Sequence, residues 1–379
     1  MTTLTPLAGT TVVELAHWAA GPAVGGVLAD WGADVTKIEP AVGDPMRSLF
    51  PPPAGSNHST SFAALNRGKQ SRVVDMASDA GRNTFENLLV DADVLITNLR
   101  PSALERLGLG PEATAARHPQ LVYCSVTAYG WEGPDRDQAG YDLAGFYARA
   151  GVLHQLTPEG AAPAPYMNGV GDMFTAMSAV AGVLAALNER HTTGVGGFVE
   201  ASLLRTGMWS IGGEVALAAN GGKPQPVADR TDSRTPLFNV YKASDGAWFV
   251  LVGAEADRHL PAVLAAIGRP ELIEDPRFCD ARAVRKNRRE FIGILDDAFG
   301  GRTLAEWLPI FADHDVWWGP IQSLEQLAGD PQAEAAGAWI ELADTGVRVV
   351  DAPVRFDRSS RERAPDAPVL GSSTGPNEQ

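Results

Sequence analysis

An aspartate becomes a useful reagent where a helix begins beneath it, and Asp172 occupies such a place, opening the run DMFTAMSAVAGVLAALNER directly after Gly171. From Met173 to Arg190 the chain is rich in Ala, Leu and Met and contains no Pro, so a helix of about five turns is expected. Asp172 then sits at the positive end, where unpaired N–H groups and the macrodipole stabilise an anion by about 0.3–1 kcal/mol. Gly171 is read as removing a side chain that would crowd an approaching substrate. A carboxylate so placed can act as a nucleophile; it can also be the N-cap of its own helix, and the local pattern alone favours capping.

Other chemistries find little support. Seven His are scattered without HxxxH or HxH spacing, and Cys124 and Cys279 are the only cysteines, so neither a metal site nor a disulfide framework is indicated. The first Gly-rich turn, HWAAGPAVGG, is not GxGxxG and lacks the Lys-Ser/Thr of a phosphate loop. That disfavours an NAD-dependent oxidoreductase and a nucleoside triphosphatase. A formal charge of −15 opposes binding to nucleic acid or anionic membranes. No run approaches about 18 uninterrupted apolar residues, and MTTLTPLAGT lacks a basic stretch followed by an apolar core, so a cytoplasmic location is expected.

The elements that must position Asp172 follow from periodicity. Strands are expected at Thr11 to Leu15, Asp34 to Ile38, Arg72 to Asp75, Asp93 to Thr97 and Leu121 to Val126, with helices at Pro22 to Trp31 and Asp79 to Val90. This alternation predicts an α/β fold, a Rossmann-like large domain with a mostly parallel sheet. Helices dominate from Tyr141 to about Asn220, and GGKPQPVADRTDSRTP then reads as a linker or mobile loop. LFNVYKASDGAWFVLVG carries a hairpin signal, and helical patterns around Leu260 to Ile267 and Phe291 to Phe299 complete a smaller α+β domain. The 379 residues thus divide into 1–222, 223–330 and a segment 331–379 that returns to the large domain. From Asp351 the tail is too rich in Pro and charge to form a core and is expected to wrap across a surface.

Several segments in shared order resemble the family III CoA-transferases, a superfamily that also holds formyl-CoA transferase and α-methylacyl-CoA racemase. They are AGP at Ala20, LADWGADVTKIEP, GDPMR, NRGK, NLRPSALERLGLG, SVTAYGWEGP, GYD and the GD of Gly171 and Asp172, and they cover nearly the whole chain. The resemblance implies that Asp172 is the catalytic carboxylate, passing coenzyme A between carboxylic acids through an aspartyl mixed anhydride and an aspartyl-CoA thioester, without a metal. It implies contacts to CoA from His17 and Ala20 in the first loop, from Arg67 and Lys69 of NRGK at the adenine and phosphate end, and from Asn98 and Arg106 of the NLRPSALER segment. Arg47 is a further candidate, balanced by pairing with Asp44; Asp142 is expected beside the active site, orienting or polarising, or else capping a helix. The partners implied are an acyl-CoA donor, a carboxylic acid acceptor and a second copy of the chain in an interlocked homodimer.

Departures bear on the substrate. The racemase branch typically carries His where this chain has Tyr141, and a tyrosine, with a reference pKa of about 10, is a poor base for an α-proton. A racemase is the runner-up, ahead of a CoA-ester binder without turnover. The formyl-CoA branch carries a glutamine where Ala19 stands and a lysine where Ala139 stands, which puts oxalate in doubt. Trp18 can line a pocket for a larger or more apolar acyl group, or be buried in the core.

Overall fold

The computed structural model describes residues 4–53, 56, 59–163, 169–225, 227–356 and 363–373. Six strands make one sheet: β1 (Thr11–Leu15), β2 (Asp34–Glu39), β3 (Gln70–Val73), β4 (Val94–Thr97), β5 (Val122–Thr127) and β6 (Phe198–Ser202). Every pairing is parallel and the order is β3-β2-β1-β4-β5-β6. The connections include helices α1 (Ala20–Asp30), α2 (Thr60–Asn66), α3 (Asp79–Val90), α4 (Pro101–Arg106) and α5 (Pro111–Arg117). Strand order reverses between β1 and β4, the place where α/β sheets open a crevice at their C-terminal ends. After β5 come a π-helical turn (Leu143–Arg149), α6 (Val152–Gln155), the 24-residue α7 (Val170–Thr193), then α8 (Leu203–Ser210) and α9 (Gly212–Ala219).

By length and composition α7 is apolar enough to cross a bilayer. Its Ala176, Ala179, Val180, Val183 and Leu187 are buried with Val24 and Leu28 of α1 and with Val122, Cys124 and Val126 of β5. This row of small side chains at helical spacing lets α7 lie close to the sheet and brings its N-terminus to the crevice.

Contacts group Met1–His154, Pro163–Pro224 and Gln332–Gln379 in one unit, and Gln155–Ala162 with Gln225–Pro331 in a second. In the second unit β7 (Val240–Lys242), β8 (Trp248–Leu251) and β9 (Trp318–Pro320) form an antiparallel sheet beside α10 (Ala256–Ala266), α11 (Ala281–Lys286), α12 (Arg288–Phe299) and α13 (Leu304–Asp313). Its core is aromatic: Phe249, Phe299 and Phe311 meet at centroid distances of 5.1 to 6.0 Å. The stretch read as a linker is anchored here, because Arg230 ion-pairs with Asp296 of α12 and Asp232 with Arg288 and Arg289.

The chain then returns to the first unit as a small mixed sheet of β10 (Trp339–Leu342), β11 (Arg348–Val350) and β12 (Arg363–Ala364). Beyond it the tail lies against β3 and its neighbours. Gly371 N donates to Ser71 Oγ, Ser373 N to Ser71 O, and Arg47 to the carbonyl of Pro368.

The first unit is built around buried charge. Glu14 on β1 and Lys37 on β2 are register partners on the face that carries α1, and both side chains are fully buried. The Lys37 ammonium donates to Glu14 Oε1 at 2.9 Å and to Ala16 O at 2.8 Å, and pairs with Asp44 at 2.9 Å. Lys69 takes the other oxygen of Glu14 at 2.7 Å and adds the carbonyl of Pro22 and Asn66 Oδ1. Lys69 thereby satisfies all three donors, while Lys37 makes two hydrogen bonds and an ion pair. Gly25 of α1 makes room for this, since a Cβ there would lie 2.0 Å from Glu14 Oε2. Burial pushes the Lys37 ammonium toward its neutral form, but Glu14 and Asp44 outweigh it and hold it charged. Removing one partner of such a set strands its counter-charges. Lys37→Met is expected to lower the unfolding free energy by about 3–5 kcal/mol in denaturant titration.

Candidate active site

A cavity of about 490 Å3 opens at the C-terminal ends of β1, β4 and β5, where the strand order reverses. His17, Trp18, Ala19 and Ala20 line it from the turn after β1, Asn98 and Arg100 from the turn after β4, and Thr127 and Ala128 from the end of β5. Tyr141 and Asp172 complete the wall.

The turn after β1 is tightly held. Asn98 clasps His17 in both directions, accepting from its N–H at 3.0 Å and donating to its carbonyl at 2.6 Å. Asp44, whose other oxygen faces Lys37, accepts from the N–H of Trp18 at 3.2 Å and of Met46 at 2.9 Å. Trp18 has φ 67°, a left-handed conformation that costs a bulky side chain about 1–3 kcal/mol and persists only where its surroundings impose it. Among the described residues the buried His17 Nδ1 has no hydrogen-bond partner. Burial, then the Lys37 charge, lowers the pKa of this imidazole, which leaves it neutral and able to exchange a hydrogen bond with a ligand.

Asp172 is not the N-cap of α7. Gly169 holds that position at φ 87°, and Asp172 is the third helical residue. The intrahelical ladder begins with Met173 N to Gly169 O, so the amides of Val170, Gly171 and Asp172 are left without helical acceptors. The capping duty falls to Asp142: Oδ2 accepts from Gly169 N at 2.6 Å, while Oδ1 accepts from Leu143 N at 2.8 Å and caps the π-helical turn. Of the two expected roles of Asp142, capping is the one its hydrogen bonds display. It is a cap, and it sets the start of the helix that carries Asp172. Gly171 serves packing rather than access, because a Cβ there would lie 2.6 Å from Cβ and Cγ of Phe146.

Burial, and secondarily the charge of Asp142, raises the Asp172 pKa to about 7. Among the described residues no hydrogen bond reaches its carboxylate, so nothing offsets that burial.

Four expected CoA contacts lie away from the cavity. Lys69 has every donor engaged around Glu14, leaving none for a phosphate. Arg67 is buried against Asp30 and the carbonyl of Ala64. Arg47 forms a two-pronged pair with Glu39, not Asp44, and lies 4.0 Å over the Phe62 ring. Arg106 is exposed in the last turn of α4. Arg100 and Arg136, which the motif reading passed over, do line the cavity. Pro101 is the first residue of α4, so Arg100 sits at the strand's C-terminal end while Arg106 is carried more than a turn away.

The profile of CoA-transferase family III matches residues 7–374. The chain belongs to that family. It is 32% identical over 375 residues to (R)-2-hydroxy-4-methylpentanoate CoA-transferase of Clostridioides difficile, covering 97% of this chain and 93% of that one. It is 30% identical over 373 residues to succinyl-CoA:glutarate CoA-transferase of Mus musculus, covering 97% and 85%. Among solved structures, a CAIB/BAIF family protein from Brucella suis superposes with a TM-score of 0.86 at 30% identity, covering 98% of this chain and 97% of that one. The six-stranded parallel sheet with smaller sheets is thus the architecture of a CoA-transferase.

The raised pKa of Asp172 has a thermodynamic signature. Between pH of about 4 and about 7 the folded protein keeps a proton that the unfolded chain gives up, so stability falls as pH rises through that window. Asp172→Asn is expected to be more stable than the parent at pH 8 by on the order of a few kcal/mol, with the gain shrinking toward pH 5 in paired denaturant titrations. An equal difference at both pH values contradicts the assignment.

Proposed function

We propose that the protein is an acyl-CoA:carboxylate CoA-transferase in which Asp172 is the covalent nucleophile. The observation that carries this reading is a half-buried carboxylate without hydrogen bonds, at the start of α7 and in the wall of the cavity. Asp172 attacks the donor thioester carbonyl, forming a mixed anhydride and expelling CoA thiolate. The thiolate attacks the aspartyl carbonyl, releasing the donor acid and leaving an aspartyl-CoA thioester. The acceptor carboxylate attacks that thioester, and the returning thiolate attacks the acceptor's carbonyl of the second anhydride, which regenerates Asp172. Each attack builds a tetrahedral oxyanion, and the acceptor-less amides of the first turn of α7 supply donors and positive potential where that charge grows. His17, Asn98, Arg100 and Ala20, which line the cavity, are assigned to the CoA-ester.

The acid pair is not chosen by family membership. The relatives above are described as acting on a branched 2-hydroxy acid in one case and on dicarboxylates in the other.

The working form is proposed to be the interlocked homodimer. Helices α8 and α9 carry no buried residue beyond Leu203, Thr206 and Gly207, and they leave Met208, Trp209 and Leu217 open at 41%, 80% and 49% exposure. Exposed apolar surface on that scale is the mark of an interface. Light scattering is expected to show a particle of two chains, and a monomer at micromolar concentration contradicts this part.

Only the ionised carboxylate attacks, so kcat/KM is expected to rise with pH to a plateau above about 7. Asp142→Asn removes the neighbouring charge while retaining an acceptor for Gly169 N, and is expected to move the midpoint to lower pH. Asp172→Asn is expected to lose at least about 1,000-fold in kcat. A variant of Asp172 that retains parent turnover, or exchange of the α-hydrogen with deuterated water in the absence of any acceptor, sinks the transferase reading.

A further inference from the structure

An aromatic pair forms part of the cavity wall. Trp18 and Tyr141 meet edge to face, ring centroids 5.7 Å apart and planes at 74°. Trp18 is seated on the cluster of Met46, Phe62 and Ala63, with its N–H held by Asp44 and its backbone in the left-handed region. Tyr141 is 62% exposed in a chain where most large apolar rings are covered. A structure that imposes a disfavoured backbone on a tryptophan, at a cavity wall, against an exposed tyrosine, presents an angled pair of aromatic rings to whatever enters. Beside the pair the lining is small, with Ala19, Ala139 and Gly140, so the space in front of the rings is open.

Nothing on this wall matches a second carboxylate. Arg100 and Arg136 are the cations of the lining besides the neutral His17, and both belong to a group gathered around Asp137. Arg136 is paired with Glu105 and Asp137, and Arg100 donates to the carbonyl of Asp137. Asp142 and Asp172 add negative charge at the reacting end, which opposes a doubly charged acid.

We propose that Trp18 and Tyr141 determine specificity, admitting monocarboxylates with an apolar or aromatic body and discriminating against dicarboxylates. The proposal rests on the CoA-transfer reading of the same cavity. A ring seated on an aromatic wall gains contact that a short or doubly charged acid lacks, and pocket contacts of this kind separate substrates by about 10–200-fold.

The test is competition. The purified full chain would be given a CoA thioester donor with 3-phenylpropanoate, 4-methylpentanoate, acetate and succinate together, and relative kcat/KM read from the product thioesters. Ratios within one reaction are independent of how much enzyme is folded. Both apolar acids are expected to exceed succinate by more than about tenfold. Trp18→Gly, which removes the ring and accepts φ 67° without strain, and Tyr141→Ala are each expected to lower that ratio about tenfold or more, whereas Tyr141→Phe retains it. Preference for succinate in the parent, or a ratio unmoved by Trp18→Gly and Tyr141→Ala, overturns the proposal and leaves CoA transfer standing. No exchange with any acid, together with no covalent change at Asp172, overturns the transferase reading and this inference with it.

Discussion

One carboxylate shared by two ammoniums organises the first unit. Glu14 gives one oxygen to Lys37 and the other to Lys69, and Lys37 passes the link on to Asp44. Asp44 in turn holds the backbone of Trp18, and Glu39 and Arg47 continue the set toward β3 and the tail through Ser71 and Pro368. Glu14, Glu39 and Asp44 are thus balanced by Lys37, Lys69 and Arg47. Burying so many charges is favourable only when every donor and acceptor is met, so the arrangement tolerates little displacement. That rigidity is what a strained turn requires. The left-handed Trp18 stays in place because Asp44 and Asn98 grip the turn from both sides, and both grips trace back to the sheet.

The second constraint is electrostatic and lies at the start of α7. An exposed carboxylate near a helix N-terminus would be stabilised as an anion, whereas burial and the charge of Asp142 push the Asp172 pKa up to about 7. Asp142 does two jobs with two oxygens, capping the π-helical turn and closing on Gly169. The cap fixes the start of the helix that carries Asp172, and its charge helps to raise the Asp172 pKa. In the proposed scheme the amides of the first helical turn, which lack intrahelical acceptors, serve the reaction intermediates.

Much of this was legible in the residues. The apolar runs around Val12, Val94 and Val122 announced parallel strands, the small-residue row of α7 announced a packed helix, and the GD motif singled out Asp172. Strand β6 escaped notice because FVEAS is short, follows three glycines and is defined by pairing with β5 far away in sequence. The buried ions escaped for a related reason: Glu14, Lys37 and Lys69 look like solvated residues until register places them together. For Lys69 alone of these, the resemblance of the NRGK segment implied a contact at the phosphate end of CoA. The fold instead places Arg100 and Arg136 in the cavity wall, and engages Lys69 with Glu14 and the carbonyl of Pro22 and Arg67 with Asp30.

The measurement that bears most directly on covalent catalysis at Asp172 follows oxygen. In the scheme above the acceptor acid loses one carboxylate oxygen to the aspartate as it becomes a thioester. Turnover with an acceptor labelled in both oxygens with 18O, followed by peptide mass spectrometry, is predicted to leave 18O in the Asp172 carboxylate and in no other side chain. Complete turnover with an unlabelled Asp172 would contradict the account, since the acid would then have reached CoA without passing through this residue.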